Sequence, residues 1–196
     1  MIGIIGAMEE EVAALKSEMA DAKVTEFASM TFYKGTLCGK DVVVVRSGIG
    51  KVNAAICAQI LVDKFGVDTL INTGIAGSLD ARIDIGDMVI STDAVHHDMD
   101  ATIFGDAIGQ VPRMDTRTFP ADPHLVELAV KANEKANPQI HTFTGRVASG
   151  DQFISSGEVK ARIVENFQAL CTEMEGAGIA HAAYLNKVSY VIIRAI

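Results

Sequence analysis

Two acidic clusters each follow an apolar segment and could supply carboxylates for catalysis. The first is Glu9, Glu10 and Glu11, which come directly after the apolar run 2–5 and a glycine turn. A solvated helix start would explain them, because acidic side chains stabilise the first turn of a helix. If that helix begins at the carboxyl end of a strand, however, one acid can point into a ligand crevice and act as a general base on water.

The second cluster is Glu173-Met174-Glu175, which follows the segment 169–172. Two acids spaced i, i+2 do not share one helix face, whereas in an extended turn one can face a crevice and the other a structural partner. A carboxylate that accepts hydrogen bonds from two adjacent hydroxyls would bind a ribose 2′,3′-diol. A plain helix start explains these residues equally well from the sequence alone.

Other motifs give weaker signals. The segment 47–52 resembles a phosphate-binding loop only superficially, because Val52 stands where a Ser or Thr would hold magnesium. The glycines of the first turn lack the GxGxxG spacing of a dinucleotide fingerprint. His96 and His97 are adjacent, and no further His or Cys pair lies at ligand spacing, so no metal site is predicted.

The composition is typical of one globular domain that handles a small molecule. Of the 196 residues, 49% are hydrophobic and 21% are charged, and we expect a single domain over 1–196. The net charge of −8 argues against a nucleic-acid partner and against an anionic membrane surface, and no apolar run approaches the length of a membrane span. Cys38, Cys57 and Cys171 are widely spaced, which predicts reduced thiols in a cytosolic protein.

Alternating short strands and helices predict an α/β domain with a mostly parallel sheet. The predicted strands are 2–5, 31–37, 42–46, 69–72, 87–91 and 188–196. The predicted helices are 9–15, 51–65, 122–133, 158–167 and 173–184, with Asp122 and Ser156 as N-caps. The segment 98–120 is predicted to be a long loop. Because a helix normally follows a central strand, we expect a further C-terminal segment beyond 188–196.

Six segments together resemble one family, the 5′-methylthioadenosine/S-adenosylhomocysteine nucleosidases. They are MIGIIGAMEEEV, RSGIGKVNAA, INTGIAGSL, ASGDQFI, TEMEGAGIAH and VIIRAI, and they occur in the family's order over essentially the whole chain. The resemblance implies a nucleoside phosphorylase/hydrolase fold, which is a three-layer α/β/α sandwich around a mixed sheet, and a homodimer. It also implies irreversible hydrolysis of the N-ribosidic bond of adenine thionucleosides to adenine and a 5-thioribose, with no metal or organic cofactor.

The resemblance implies roles for the acidic clusters. Glu11 matches the general base that activates water, and Glu175 matches the carboxylate that binds the ribose hydroxyls. Met174 would pack under the sugar, with Glu173 close by. Arg194 would lie near the water and the ribose.

Further residues are expected around the base and the 5′-substituent. The resemblance places Ala76 and Gly77 beside the ribose and base, Phe153 near adenine, and the backbone of Ile154 at the edge of adenine.

The walls of the 5′-substituent pocket are matched by Met8 and Ile49. Phe104 and Pro112 resemble residues that the other subunit of a dimer contributes to that pocket, which is why the resemblance implies a dimer.

Two departures from the family pattern affect the expected rate. Ile75 stands where many members carry serine, which removes a hydroxyl near the water. The family's proton donor is an aspartate just beyond the RAI strand, and the sequence ends at Ile196. We therefore expect weak or no turnover from these residues alone, because general acid catalysis contributes about 10²–10⁴-fold.

Three alternatives remain open from the sequence. They are a purine nucleoside phosphorylase of the same fold, a non-catalytic nucleoside-binding protein, and a related hydrolase that cleaves an aminofutalosine.

Overall fold

The computed structural model describes residues 1–196, in which strands and helices alternate. The helices are α1 (Glu9–Ser17), α2 (Lys51–Phe65), α3 (Pro123–Ala136), α4 (Gly157–Phe167) and α5 (Gly176–Asn186). The strands are β1 (Ile2–Gly6), β2 (Ala20–Phe27), β3 (Met30–Leu37), β4 (Lys40–Arg46), β5 (Thr69–Ile75), β6 (Gly77–Ser78), β7 (Met88–His96), β8 (Phe119–Pro120), β9 (Thr142–Ser149), β10 (Cys171–Glu173) and β11 (Ser189–Ala195).

The five predicted helices and the six predicted strands are all present; α2 has the predicted bounds, and the others are shifted at one or both ends. The strand predicted over 87–91 is longer, since β7 continues to His96. The loop predicted over 98–120 is mostly irregular but contains a 3₁₀ turn at Thr102–Phe104 and the two residues of β8. The eight-residue strands β2 and β9 and the two-residue strand β6 were not predicted. Nearly all of β2 is exposed, so it lacks the apolar alternation that identifies a strand in a sequence.

The helix predicted over 173–184 is wrong at its start. Glu173 is the last residue of β10, and α5 begins only at Gly176. The Glu173 carboxylate accepts hydrogen bonds from the backbone N–H of Glu175 at 3.1 Å and of Gly176 at 2.8 Å. The helix therefore begins after the acidic cluster, because a strand residue satisfies the free N–H groups at its start.

The two predicted N-caps have different outcomes. The Asp122 carboxylate accepts hydrogen bonds from the N–H of His124 at 2.9 Å and of Leu125 at 3.2 Å, so it caps α3 as predicted. Ser156 occupies the N-cap position of α4, but its side chain forms no capping hydrogen bond.

The central sheet is mixed, as the family resemblance implies, rather than mostly parallel. Its strand order is β2-β3-β4-β1-β5-β11-β7-β9-β10-β6, and β8 pairs with β7. The strands β4, β1, β5 and β11 are parallel neighbours, whereas β7 is antiparallel to β11. Strand β11 is central, between β5 and β7.

The part of the sheet from β5 to β10 curves round, so that its two ends come close together. Strand β6 follows β5 in the chain after one residue, Ala76, and pairs antiparallel with β10 at the far end of the order. This closure brings the carboxyl end of β10 next to that of β5. The two acidic clusters of the sequence therefore meet, although β10 and β5 are distant in the strand order.

Helices cover both faces of the sheet, which gives the expected three layers. On one face, α2 and α5 pack against Ile5, Val43, Val45 and other members of the main core. On the other face, Val12 of α1 packs against the alternating residues Ile4, Val42 and Val44. Since successive strand residues point to opposite faces, α1 lies across the sheet from α2 and α5. None of the helices combines the length and apolarity needed to cross a membrane.

Candidate active site

A cavity of about 430 Å³ lies where the ends of β1, β5 and β10 meet. Ten of the residues that the resemblance singled out line it: Met8, Glu11, Ile49, Ala76, Gly77, Phe153, Ile154, Glu173, Met174 and Glu175. It is also lined by Ala7, Ile75, Gln152 and Thr172, of which only Ile75 could be singled out from the sequence. Charged groups are concentrated at one end, and most of the remaining wall is apolar.

Glu11 is held at this cavity by backbone N–H groups. Its Oε2 accepts from Ala7 at 2.6 Å and from Met8 at 3.0 Å, the second bond being half of a capping box at the start of α1. Its Oε1 accepts from the N–H of Ile75 at 3.1 Å and lies 3.9 Å from Arg194 Nη1. Glu11 is thus both a helix-start residue and a cavity residue, and Oε1 keeps a lone pair for a ligand.

Arg194 lies beneath the cavity and is fully buried. Its Nη2 donates to Asn72 Oδ1 at 2.6 Å and forms an ion pair with Glu173. The same nitrogen lies 3.6 Å from Glu175 Oε2, while Nη1 donates to the carbonyl of Ile75 at 3.3 Å. One guanidinium therefore joins Glu11 of the first acidic cluster to Glu173 and Glu175 of the second.

Glu173 is mainly a connecting group. Besides its bonds to Arg194 and to the start of α5, its Oε1 accepts from the hydroxyl of Ser149, the last residue of β9. Ser149 Oγ in turn accepts from the N–H of Ala177 at 2.7 Å. These contacts use both oxygens of Glu173, so it is the least available of the three carboxylates for a ligand.

The charge of Glu175 is only partly compensated by its neighbours. The residue is buried, and burial followed by the nearby Glu173 carboxylate raises the pKa of Glu175, against the opposing influence of the Gly50 N–H and Arg194. Its Oε1 accepts from Gly50 N at 3.0 Å. Its Oε2 accepts no hydrogen bond and lies 3.6 Å from Arg194 Nη2. The neighbouring Glu11 carboxylate raises the pKa further.

Gly74 is required by the close approach of two of these side chains. A Cβ at this position would overlap Arg194 Nη1 and Glu11 Oε1. A glycine inside a strand often marks such an approach, and here it leaves room for the ion pair between Arg194 Nη1 and Glu11 Oε1. The sequence contained this signal in the INTGIAG segment.

Substituting Glu175 by Gln is expected to stabilise the fold at neutral pH. A raised folded-state pKa means that the ionised carboxylate is less favourable in the folded chain than in the unfolded chain. The free-energy penalty for ionising Glu175 in the folded chain is absent below the pKa that Glu175 has in the unfolded chain. It grows as the pH rises through the higher pKa that Glu175 has in the folded chain. We expect Glu175→Gln to raise the free energy of unfolding at pH 7 by roughly 0.5–2 kcal/mol, and to give no gain at pH 4, as measured by urea denaturation. Glu134→Gln, at an exposed site on α3, should show no such pH dependence, and equal effects at both pH values would contradict the argument.

Phe104 and Pro112 do not line the cavity of their own chain. Both are exposed in the segment between β7 and β8, and Phe104 is 85% exposed. The side chain of Ile75 is also exposed, at 62%, and its contacts with Glu11 and Arg194 run through its backbone. The serine-to-isoleucine departure therefore leaves those two hydrogen bonds in place.

The adjacent histidines point in different directions. His96 Nε2 lies 3.3 Å from Nδ1 of His181, whose ring stacks on Phe119. The His97 ring packs against Gly150. The pair therefore does not converge on one point.

Known proteins are similar to this chain both in sequence and in architecture. The family model described as "Phosphorylase superfamily" matches residues 1–196. The 5′-methylthioadenosine/S-adenosylhomocysteine nucleosidase of Staphylococcus saprophyticus is 46% identical, over all of this chain and 85% of its own. The crystal structure of the Neisseria meningitidis nucleosidase in complex with methylthio-immucillin-A superposes with a TM-score of 0.95 at 40% identity, covering 99% of this chain and 84% of that one.

A second crystal structure is that of the Colwellia psychrerythraea nucleosidase in complex with adenine. It gives a TM-score of 0.94 at 46% identity, covering 99% of this chain and 80% of that one. The chain belongs to the phosphorylase superfamily and, within it, to the 5′-methylthioadenosine/S-adenosylhomocysteine nucleosidases.

Proposed function

We propose that the protein hydrolyses the N-ribosidic bond of 5′-methylthioadenosine and S-adenosylhomocysteine, releasing adenine and a 5-thioribose. The observation that carries the proposal is the arrangement of Glu11, Glu173 and Glu175 around Arg194 at the charged end of an otherwise apolar cavity. Cleavage of this bond builds positive charge at C1′, and carboxylates held beside the sugar stabilise that charge.

Glu11 is the general base in this proposal. Its Oε1 takes a proton from water as the water oxygen bonds to C1′. The C1′–N9 bond breaks, its electron pair leaves with adenine, and adenine takes up one proton from solvent, while Glu11 returns the proton it took from water to solvent. The reaction therefore balances with water as the only co-substrate, and the proposal includes no cofactor.

Glu175 binds the ribose. Its Oε2, which lies 3.6 Å from Arg194 Nη2, accepts from the 2′- and 3′-hydroxyls, while the Gly50 N–H holds Oε1. Met174 packs under the sugar, and Ala76 and Gly77 lie beside it. An ionised Glu175 suits both tasks, since it accepts two hydroxyl bonds and stabilises the cationic sugar.

The two ends of the substrate occupy the apolar walls. Adenine lies against Phe153, which is 87% exposed, and the backbone of Ile154 contacts the edge of the base.

The 5′-substituent lies between Met8 and Ile49. A second copy of the chain completes that pocket with its own Phe104 and Pro112, which is why we propose a homodimer. We assign the enzyme to the cytoplasm, because free cysteines fit a reducing compartment.

Electrostatics favour water over phosphate as the nucleophile. A phosphorylase must hold a phosphate dianion beneath the sugar, next to the reacting carbon. Three carboxylates share one arginine at this end of the cavity, so a dianion there would meet a net negative charge and would be repelled.

The test is adenine release by the full-length protein as its organism encodes it. In phosphate-free buffer, 5′-methylthioadenosine should give free adenine and 5-methylthioribose, at a rate that added phosphate does not increase. A strict phosphate requirement with a sugar 1-phosphate product would instead establish a phosphorylase. Saturable binding in a calorimeter without adenine release would establish a nucleoside-binding protein.

A further inference from the structure

A second, more polar groove adjoins the cavity and has no part in the reaction proposed above. Its volume is about 550 Å³, and it shares Ala7, Met8 and Ile49 with the cavity. Met8 and Ile49 are the residues proposed to flank the 5′-substituent. A substituent longer than a methylthio group would therefore pass between them and emerge in this groove.

The groove carries charged groups of both signs, two of which pair with each other. Lys16 of α1 forms an ion pair with Glu9, and its ammonium lies 4.8 Å from the centre of the Tyr33 ring. Arg46, at the end of β4, is exposed, and its guanidinium makes no hydrogen bond or ion pair. Glu10, in the first turn of α1, is exposed and is likewise without a partner. The groove thus presents one free cation and one free anion.

An α-amino acid carries the complementary pair of charges on a single carbon. We propose that the groove binds the amino-acid end of a 5′-thioether substituent, with the carboxylate at Arg46 and the ammonium at Glu10. This inference rests on the proposed function, and it assigns the homocysteine end of S-adenosylhomocysteine to this groove. A guanidinium is suited to the carboxylate, because it donates two parallel hydrogen bonds.

The groove gives the enzyme a means of distinguishing its two substrates. The methylthio group of 5′-methylthioadenosine ends between Met8 and Ile49 and reaches neither charge. The thioether of S-adenosylhomocysteine crosses the same apolar passage and brings its zwitterion into the groove. Arg46 is therefore a specificity residue that adds affinity for the second substrate alone.

The test compares the dissociation constants of the two nucleosides in a background that blocks turnover. Full-length Glu11→Gln protein is titrated with each nucleoside in a calorimeter, with and without Arg46→Met. The ratio of the S-adenosylhomocysteine constant to the 5′-methylthioadenosine constant should rise about fivefold, as expected for an exposed charge pair. Lys40→Met, which removes the same charge at the other end of β4, should leave the ratio as it is. Arg46→Lys should restore part of the loss.

An analogue of S-adenosylhomocysteine that lacks the carboxylate and keeps the ammonium separates the two charges. Its binding should respond to Glu10→Gln and not to Arg46→Met. The assignment would be overturned if Arg46→Met left the ratio of the two dissociation constants unchanged. It would also be overturned if Arg46→Met weakened binding of the carboxylate-free analogue as much as binding of S-adenosylhomocysteine. These constants do not depend on turnover, so failure of the wild-type protein to release adenine would remove the proposed function without deciding this test.

Discussion

Replacing Glu11 by Gln should reduce adenine release from 5′-methylthioadenosine by about 10²–10⁴-fold, the usual contribution of a general base. Glutamine has the same shape and keeps an oxygen for the N–H groups of Ala7 and Met8, so the start of α1 should survive. At the position of Oε1 it loses the ability to take a proton, together with the hydrogen bond from the Ile75 N–H and the charge that faces Arg194. Single-turnover rates should therefore fall, while the dissociation constant of the nucleoside should change little.

The control for this variant is Glu18→Gln, which removes an equal charge from an exposed site just after the same helix. It should retain normal turnover and a normal melting temperature. Glu11→Gln with a rate within threefold of wild type would contradict the assignment of Glu11. A melting temperature lowered by more than a few degrees would instead indicate that its capping contacts had been lost.

Replacing Arg194 by Met should destabilise the fold by about 3–5 kcal/mol, because removing one partner of a buried ion pair leaves the other charge uncompensated. The side chain is fully buried and joins Glu173, Asn72 and the Ile75 carbonyl. Methionine fills much of the volume but satisfies none of these groups. Urea denaturation at pH 7 should show the loss directly.

A second substitution tests the cause of that loss. In the Arg194→Met background, Glu173→Gln should recover about 1–3 kcal/mol, since the two residues are directly coupled. Arg82→Met, which breaks an ion pair with Asp80 at the surface, should leave the free energy of unfolding unchanged. A double variant no more stable than Arg194→Met would show that the loss comes from packing and not from charge.

The helices and the buried parallel strands could be predicted because their patterns are local. The apolar spacing of α2 and the β-branched run of β11 identify these elements without tertiary information. Strand β2 could not be predicted, since pairing with β3 holds it in the sheet while most of its side chains stay exposed. The closure of the sheet through β6 also depends on long-range pairing, so the sequence indicated a mostly parallel sheet instead.

The reactive side chains of the site could be identified from the sequence, but the residues that hold them could not. Glu11 and Glu175 belong to distinctive acidic clusters. Asn72 and Ser149 are ordinary polar residues at strand positions, and their roles follow only from burial next to Arg194 and Glu173. The available signal was a polar residue within an otherwise apolar strand, a position that usually requires a hydrogen-bond partner.

In the proposed reaction, water held at Glu11 attacks C1′. The most direct measurement is a single turnover of 5′-methylthioadenosine in ¹⁸O-labelled water, followed by immediate reduction and mass spectrometry of the sugar. We expect one ¹⁸O at C1 of 5-methylthioribose, above the exchange seen with unlabelled 5-methylthioribose handled in the same way. A sugar that carries no label beyond that exchange, or that appears only when phosphate is present, would contradict the proposed reaction.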